Sequence, residues 1–313
     1  MNNQEKHTGR VQQTAIYLGK LLRMFIYQSD WKVLPMGALI AGLVTFVVGA
    51  NLFVTQEGTL TGCFAMVCIC IWNGFFNSIQ SVCREREIVK REHRAGLHMS
   101  SYIAAHMIYQ MLLCIAQVAV TLVILRTAGV RLPQEGTVFA HGVVDVATTL
   151  LLITYAADMM SLMVSSIVRD PTKAMTAMPF LLIFQLVFSG GFFQLSGFSE
   201  KITVLTISKW GLNSMCAIGR YNELPMVTLW NTLLKFQDLE IYGIRPVADA
   251  VRKVYEDNLM DDFNLWAGTY NQNSLFVSAQ ENVLACWGAM IILAALFAVI
   301  SVIALEFIDR DRR

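Results

Sequence analysis

CREREIVKREHRAGLHMS, residues 83–100, lies between two long apolar runs and decides how the chain is read. Arg84, Arg86, Lys90, Arg91 and Arg94 are interleaved here with Glu85, Glu87 and Glu92. Glu87 and Arg91 stand four apart with opposite charge, Lys90 and Arg94 four apart with like charge. A stretch this charged stays in water, so the apolar runs on either side must end at it. Its five basic residues mark the cytoplasmic side of a membrane by the positive-inside rule. Two readings stand: a solvated loop that only sets topology, or a docking helix that meets a soluble partner.

Outward from this stretch the chain is apolar. Hydrophobic residues make up 55%, charged residues 15%, and the mean hydropathy is +0.51. Soluble domains carry roughly a quarter charged residues. The net charge of +1 gives no basic bias, so nucleic acid is not an expected partner. The runs 33–53, 59–82, 101–126, 142–168, 174–195 and 282–305 are each long enough to cross a hydrocarbon core of about 30 Å. Residues 10–28 are amphipathic instead, with Val11, Ala15, Leu18, Leu22 and Phe25 on one helical face, which suits a helix lying on the membrane surface.

The expected fold is an all-α polytopic membrane protein. It has six transmembrane helices, an N-terminal amphipathic interfacial helix and a long extracellular segment between spans five and six. The parts are a cytoplasmic N-terminus with the amphipathic helix (1–31), spans one to five (32–195) with the charged loop at 83–100, an extracellular or re-entrant segment (196–281), and the sixth span with a cytoplasmic tail (282–313). Of the 24 Lys and Arg, 15 fall inside and 9 outside, seven of these in the long outer segment, where the rule is weak. That places a multi-pass protein in the cell membrane with both termini cytoplasmic. The polar start MNNQEKHTGR lacks the apolar region of a cleaved signal.

Polar residues inside the spans are the candidates for function, because amides and acids in hydrocarbon are costly unless they face protein or water. Asn73, Asn77 and Gln80 form a stripe on span two, read either as interhelical glue or as the lining of a path. His106, Gln110, Gln117 and Thr121 share a face of span three, where a lone His is read as a packing residue rather than a proton carrier. Asp158 stands mid-span, either functional or bonded to the Thr154 and Ser161 hydroxyls. Ala38, Gly42, Thr45 and Gly49 recur on one face of span one, a surface for close helix approach. The seven cysteines are scattered, with no metal-ligand grouping.

The sequence holds no GxxxxGK[ST], HExxH or GxSxG, and no paired carboxylates on one helix. No catalytic constellation is therefore expected, and energy for transport must come from an ion gradient or another polypeptide.

Three segments carry a resemblance. The helix ending in Gln28-Ser29-Asp30, the stretch REREIVKREHRAGLHMSSY with Glu92, Gly96, Ser100, Ser101 and Tyr102, and FSGGFFQLSGF followed by SKWGLNSMCAIGRYNELP with Asn222 and Glu223 stand in order between the spans. Together they resemble the type-two membrane (permease) domain of ABC transporters, in particular the G subfamily of ABC exporters, over roughly residues 10–225 and 282–305. The resemblance implies an ATP-driven exporter with a second permease subunit, homo- or heterodimeric. ATP and Mg would sit on a separate ABC ATPase subunit, and no cofactor on this chain. It favours Arg84, Glu85, Glu87, Arg91, Glu92 and Arg94 as ATPase-coupling residues. It places the path along spans two and five, with Asn73, Asn77, Asp158, Phe184, Phe188 and Phe192 as lining candidates. Two departures stand out: the ATPase that many relatives fuse to the same chain is expected here on a separate one, and about fifty extra residues occupy 226–280. The rival class is an ATP-independent carrier or a ligand-sensing membrane protein.

Overall fold

The computed structural model describes residues 9–27, 31, 33–191, 197–240 and 245–307. Gln28, Ser29, Asp30 and Phe192, named above, lie outside the described residues, as does most of the charged tail. The described residues form helices and turns, and no strand.

The helices run in order: α1 (Arg10–Tyr27), α2 (Val33–Val48), α3 (Gln56–Ser78), α4 (Ser81–Arg94), α5 (Met99–Thr127), α6 (Gly142–Ile167) and α7 (Pro171–Val187). They continue with α8 (Phe198–Thr203), α9 (Ile207–Ile218), α10 (Thr228–Lys235), α11 (Pro246–Glu256), α12 (Met260–Thr269) and α13 (Gln280–Glu306). Five stretches are long and apolar enough to cross a membrane: Val33–Asn51, Gln56–Arg94, Met99–Thr127, Gly142–Ile167 and Gln280–Glu306. The run expected at 174–195 is a shorter helix, α7, of 17 residues. At 1.5 Å per residue it reaches about 26 Å, short of the usual core. Asp170 caps it by accepting from the Thr172 amide (2.8 Å), with Pro171 at the first helical position.

The bundle is built around α3 and α6. Gly74 on α3 permits their contact: a Cβ there would meet Ala157 Cβ at 2.8 Å and the Thr154 carbonyl oxygen closer still. Without a side chain the two backbones approach, as at other small-residue crossings in hydrocarbon. α13 and α9 pack on the other sides of α6, and α2 lies against α3 and α5. The Trp287 indole on α13 donates to Thr149 Oγ1 on α6 (2.9 Å) and Ser214 Oγ on α9 (3.1 Å), tying three helices at one buried point.

Two faces are set by the residues they meet. The buried face of α2 and the turn after it is Gly37, Ala41, Thr45 and Gly49, which keeps the expected Thr45 and Gly49 and takes Gly37 and Ala41 in place of their neighbours Ala38 and Gly42. The Gly37 face is chosen because Asn73 needs room, its Oδ1 lying 3.1 Å from where a Gly37 Cβ would stand. On α1, Tyr17 and Leu21 pack on α5, while Val11, Ile16, Leu22 and Ile26 remain exposed. The tyrosines decide this side. Tyr17 meets Tyr102 edge-on at 5.3 Å, and Phe25 meets Tyr109 at 6.4 Å.

The segment after α7 is ordered in two parts. α9 is a short helix buried among α3, α6 and α13. Gln185 of α7 caps it, its Oε1 accepting from the Ile207 (2.9 Å) and Ser208 (3.2 Å) amides. α10, α11 and α12 form a small cluster around Trp230, whose ring lies 5.4 Å from Tyr255 and 5.5 Å from Phe263. The first turn of α3 holds this cluster. Gln56 is buried and donates to the Gly268 carbonyl (3.0 Å) while accepting from Asn271 (3.2 Å). The Glu57 carboxylate accepts from the Thr228 amide (2.7 Å) at the start of α10. Asn222 is paired both ways with the Asn273 backbone, at 2.9 and 3.0 Å.

Candidate functional site

The charged stretch folds as a helix, α4, set off from α3 by the turn at Ile79 and Gln80. Its N-terminal amides find a partner on another helix. Ser165 Oγ of α6 accepts from the Val82 (3.1 Å) and Cys83 (3.2 Å) amides, so a neighbour supplies the cap. Gly96 closes the other end with φ +102°. The Gly96 amide bonds the His93 carbonyl and the Leu97 amide the Glu92 carbonyl, both at 3.0 Å. Gln13 of α1 then holds the turn, donating to the Gly96 carbonyl (3.2 Å) and accepting from the His98 amide (3.1 Å). Gly96→Ala is expected to cost about 1–2 kcal/mol by forcing an L side chain into left-handed backbone. Thermal unfolding of the purified variant checks this, and an unchanged midpoint would contradict it.

α4 has two faces. Val82, Cys83, Arg86 and Val89 are buried. Arg84, Glu87, Ile88, Arg91 and Arg94 are exposed at helical spacing along one stripe. Of the six residues expected to couple to an ATPase, Arg84, Glu87, Arg91 and Arg94 lie on this stripe, whereas Glu85 and Glu92 turn toward α1. Glu85 pairs with Lys20 at 2.9 Å. Glu92 lines a recess of about 320 Å³ with Tyr17 and Lys20. The Glu87–Arg91 spacing is realised differently from an ion pair: Arg91 Nε donates to the Glu87 carbonyl oxygen at 3.3 Å.

Sequence reasoning passed over Arg86 and Ser165 as fastening residues. Arg86 is buried and donates to the Ser166 carbonyl at 2.7 Å, with the Val168 carbonyl at 3.4 Å. Those carbonyls end α6, where the helix dipole is negative and a cation is favoured. Nothing local in the sequence separates Arg86 from its neighbours except its i+3 spacing to Cys83 and Val89.

The polar residues of the spans meet between α3, α5 and α6. Asn77 and Gln117 exchange two amide hydrogen bonds, at 2.9 and 3.0 Å. Asp158 is fully buried and accepts from Ser78 Oγ, from Asn77 Nδ2 (3.4 Å) and from Cys114 Sγ (3.6 Å). The Thr154 and Ser161 hydroxyls, expected as its partners, bond back to the Leu150 and Asp158 carbonyls of their own helix. Asn73 lies buried against α2. Phe184 and Phe188 are half-buried on and just past α7, rings 5.0 Å apart.

Three side chains, Ser78, Asn77 and Cys114, converge on Asp158. Asp158→Leu is expected to strand Ser78 and one Asn77 N–H and to cost about 2–4 kcal/mol. Asp158→Asn, which retains one acceptor oxygen, should cost less than half of that. Thermal midpoints of the two proteins check the order, and equal midpoints would contradict it.

The ABC-2 type transporter family model matches residues 20–218, from α1 to the end of α9. With most of the chain covered, the protein belongs to that family, and it is a multi-pass ABC permease. It is similar to an ABC transporter ATP-binding/permease protein of Mycobacterium tuberculosis, 28% identical over 154 residues. That match takes in 47% of this chain and 17% of the relative, so the chain spans less than a fifth of the relative's length.

Proposed function

We propose that the chain is the permease subunit of an ATP-driven exporter in the cell membrane. α4 faces the cytoplasm together with both termini, and its exposed stripe receives a separate ATPase subunit, which carries ATP and Mg. α7 and the residues up to 195 form the fifth of six spans, and 196–281 lies outside. A second permease subunit completes the path, which runs along α3 and α7 past Asn73, Asn77, Phe184, Phe188 and Phe192, with Asp158 behind it.

One observation carries this reading. α4 is fastened on one face to α6 and α1 and presents arginines, a glutamate and an isoleucine on the other. A helix that only marked topology would need no such anchorage. A mixed charged and apolar stripe on a rigid support is what a soluble partner can push against. The family assignment supports an ATPase partner, and the mycobacterial relative is itself named as ATP-binding and permease in one.

The test is purification of the tagged chain from its own membranes in mild detergent. A P-loop ATPase should co-elute at one copy per permease, and native mass spectrometry should give two permeases per complex. A single permease that transports after reconstitution without any ATPase would overturn the proposal in favour of a gradient-driven carrier.

A further inference from the structure

A cavity of about 580 Å³ opens where α1, the start of α2, the α3–α4 turn, α5 and the start of α7 meet. Its volume is in the range of small-ligand sites. Two of its polar lining residues carry buried atoms without a hydrogen-bond partner. His106 is 2% exposed, with neither ring nitrogen hydrogen-bonded, and Gln110 is 1% exposed with a free Oε1. Unpaired polar atoms in such a place are costly, so something polar belongs in front of them. At the α4 end, Arg84 has its guanidinium on Gln80 Oε1 (2.9 Å) and no carboxylate, because Glu85 is taken by Lys20. Glu85, Asn77, Ser81 and Tyr109 also line the cavity, and one side of it is apolar, with Leu21, Met24, Phe76 and Leu113.

The lining is therefore graded: Arg84 at the charged helix, with the Glu85 charge neutralised by Lys20, hydrogen-bonding groups next, and hydrocarbon along the side. The amphipathic α1, with its exposed Val11, Ile16, Leu22 and Ile26, sets the Arg84 end at the membrane surface. We propose that the cavity binds one anionic amphiphile from the leaflet on the α4 side. Its phosphate or carboxylate sits against Arg84, its ester or hydroxyl groups satisfy His106 and Gln110, and its chain runs past Met24, Phe76 and Leu113. The proposal needs only that the chain sits in a membrane, and does not depend on ATP coupling.

The experiment uses the complex as purified, stripped of lipid by detergent exchange. Phosphatidylglycerol, phosphatidylcholine and oleate are titrated separately, with native mass spectrometry for stoichiometry and thermal midpoint for occupancy. Phosphatidylglycerol or oleate should bind saturably at one per permease, at least tenfold more tightly than phosphatidylcholine. Whichever of the two anions binds tighter identifies a phospholipid or a free amphiphile as the source. Leu113→Trp fills the cavity without changing any charge and should abolish saturable binding. Arg84→Gln should weaken it about tenfold. If Leu113→Trp lowers folded yield, Gln110→Met serves as the second neutral variant and should weaken binding severalfold. Equal binding of neutral and anionic lipid by the parent would overturn the proposal. So would anionic binding that a folded neutral variant leaves intact, since that would be surface attraction to basic residues only.

Discussion

Arg91→Glu combined with Arg94→Glu is expected to reduce co-elution of the ATPase at least tenfold while leaving the permease folded. Both side chains lie on the exposed stripe of α4, at its end farthest from α3. Exposed ion pairs contribute about 0–1 kcal/mol, so the fold should scarcely notice their loss. At an interface the same reversal places four units of changed charge opposite a surface built for the original sign, and close pairs across interfaces couple by about 1.5–7 kcal/mol. The readouts are ATPase recovered per permease, ATP hydrolysis in lipid, and the thermal midpoint. If the variant keeps full ATPase binding and transport, the stripe is a topology marker and the docking proposal falls.

Arg86→Ala should do the opposite: damage the fold first. The buried guanidinium holds the last carbonyls of α6, and truncation takes that donor away from them. Charged hydrogen bonds of this kind contribute about 1.5–3 kcal/mol, and losing the favourable charge at a helix C-terminus adds up to about 1 kcal/mol. A loss near 3 kcal/mol is expected, seen as a sharply lower thermal midpoint and poor folded yield. Arg86→Lys should recover only part of it, since an ammonium lacks the fork that reaches both carbonyls. An alanine variant as stable as the parent would mean that Ser165 alone fastens α4.

The long spans were legible because hydropathy over about twenty residues needs no knowledge of neighbours. The exposed arginines of α4 were legible for the same reason: charge in such a setting names its solvent. Faces were harder. Small residues occur at both Gly37–Ala41 and Ala38–Gly42, and only the bulk of Asn73, some thirty residues on, selects between them. Capping across the chain was invisible. Ser165 serves amides more than eighty positions away, and Gln56 reaches a carbonyl more than two hundred away. Asp158 stands out in the sequence as an acid in mid-span, but the sequence points to partners one turn along its own helix. Hydroxyls there have a carbonyl of their own within reach, and the acid turned to other helices. α7 came out shorter than its apolar run because the run continues into the glycine-rich stretch that begins at Ser189.

The fixing of the α3–α4 unit at both ends has a consequence for its tolerance of length change. Gln56 and Glu57 clamp one end to the Trp230 cluster, while Ser165 and Arg86 clamp the other to α6. One residue added or lost within either helix turns everything beyond it by about 100° and shifts it by about 1.5 Å. The clamps at the Trp230 end and those at the α6 end would then be out of phase, and one set must let go. Insertions near this unit are confined to whole numbers of turns or to the turn at Ile79 and Gln80. Length variation among related chains, and sites for inserted tags, should follow that rule.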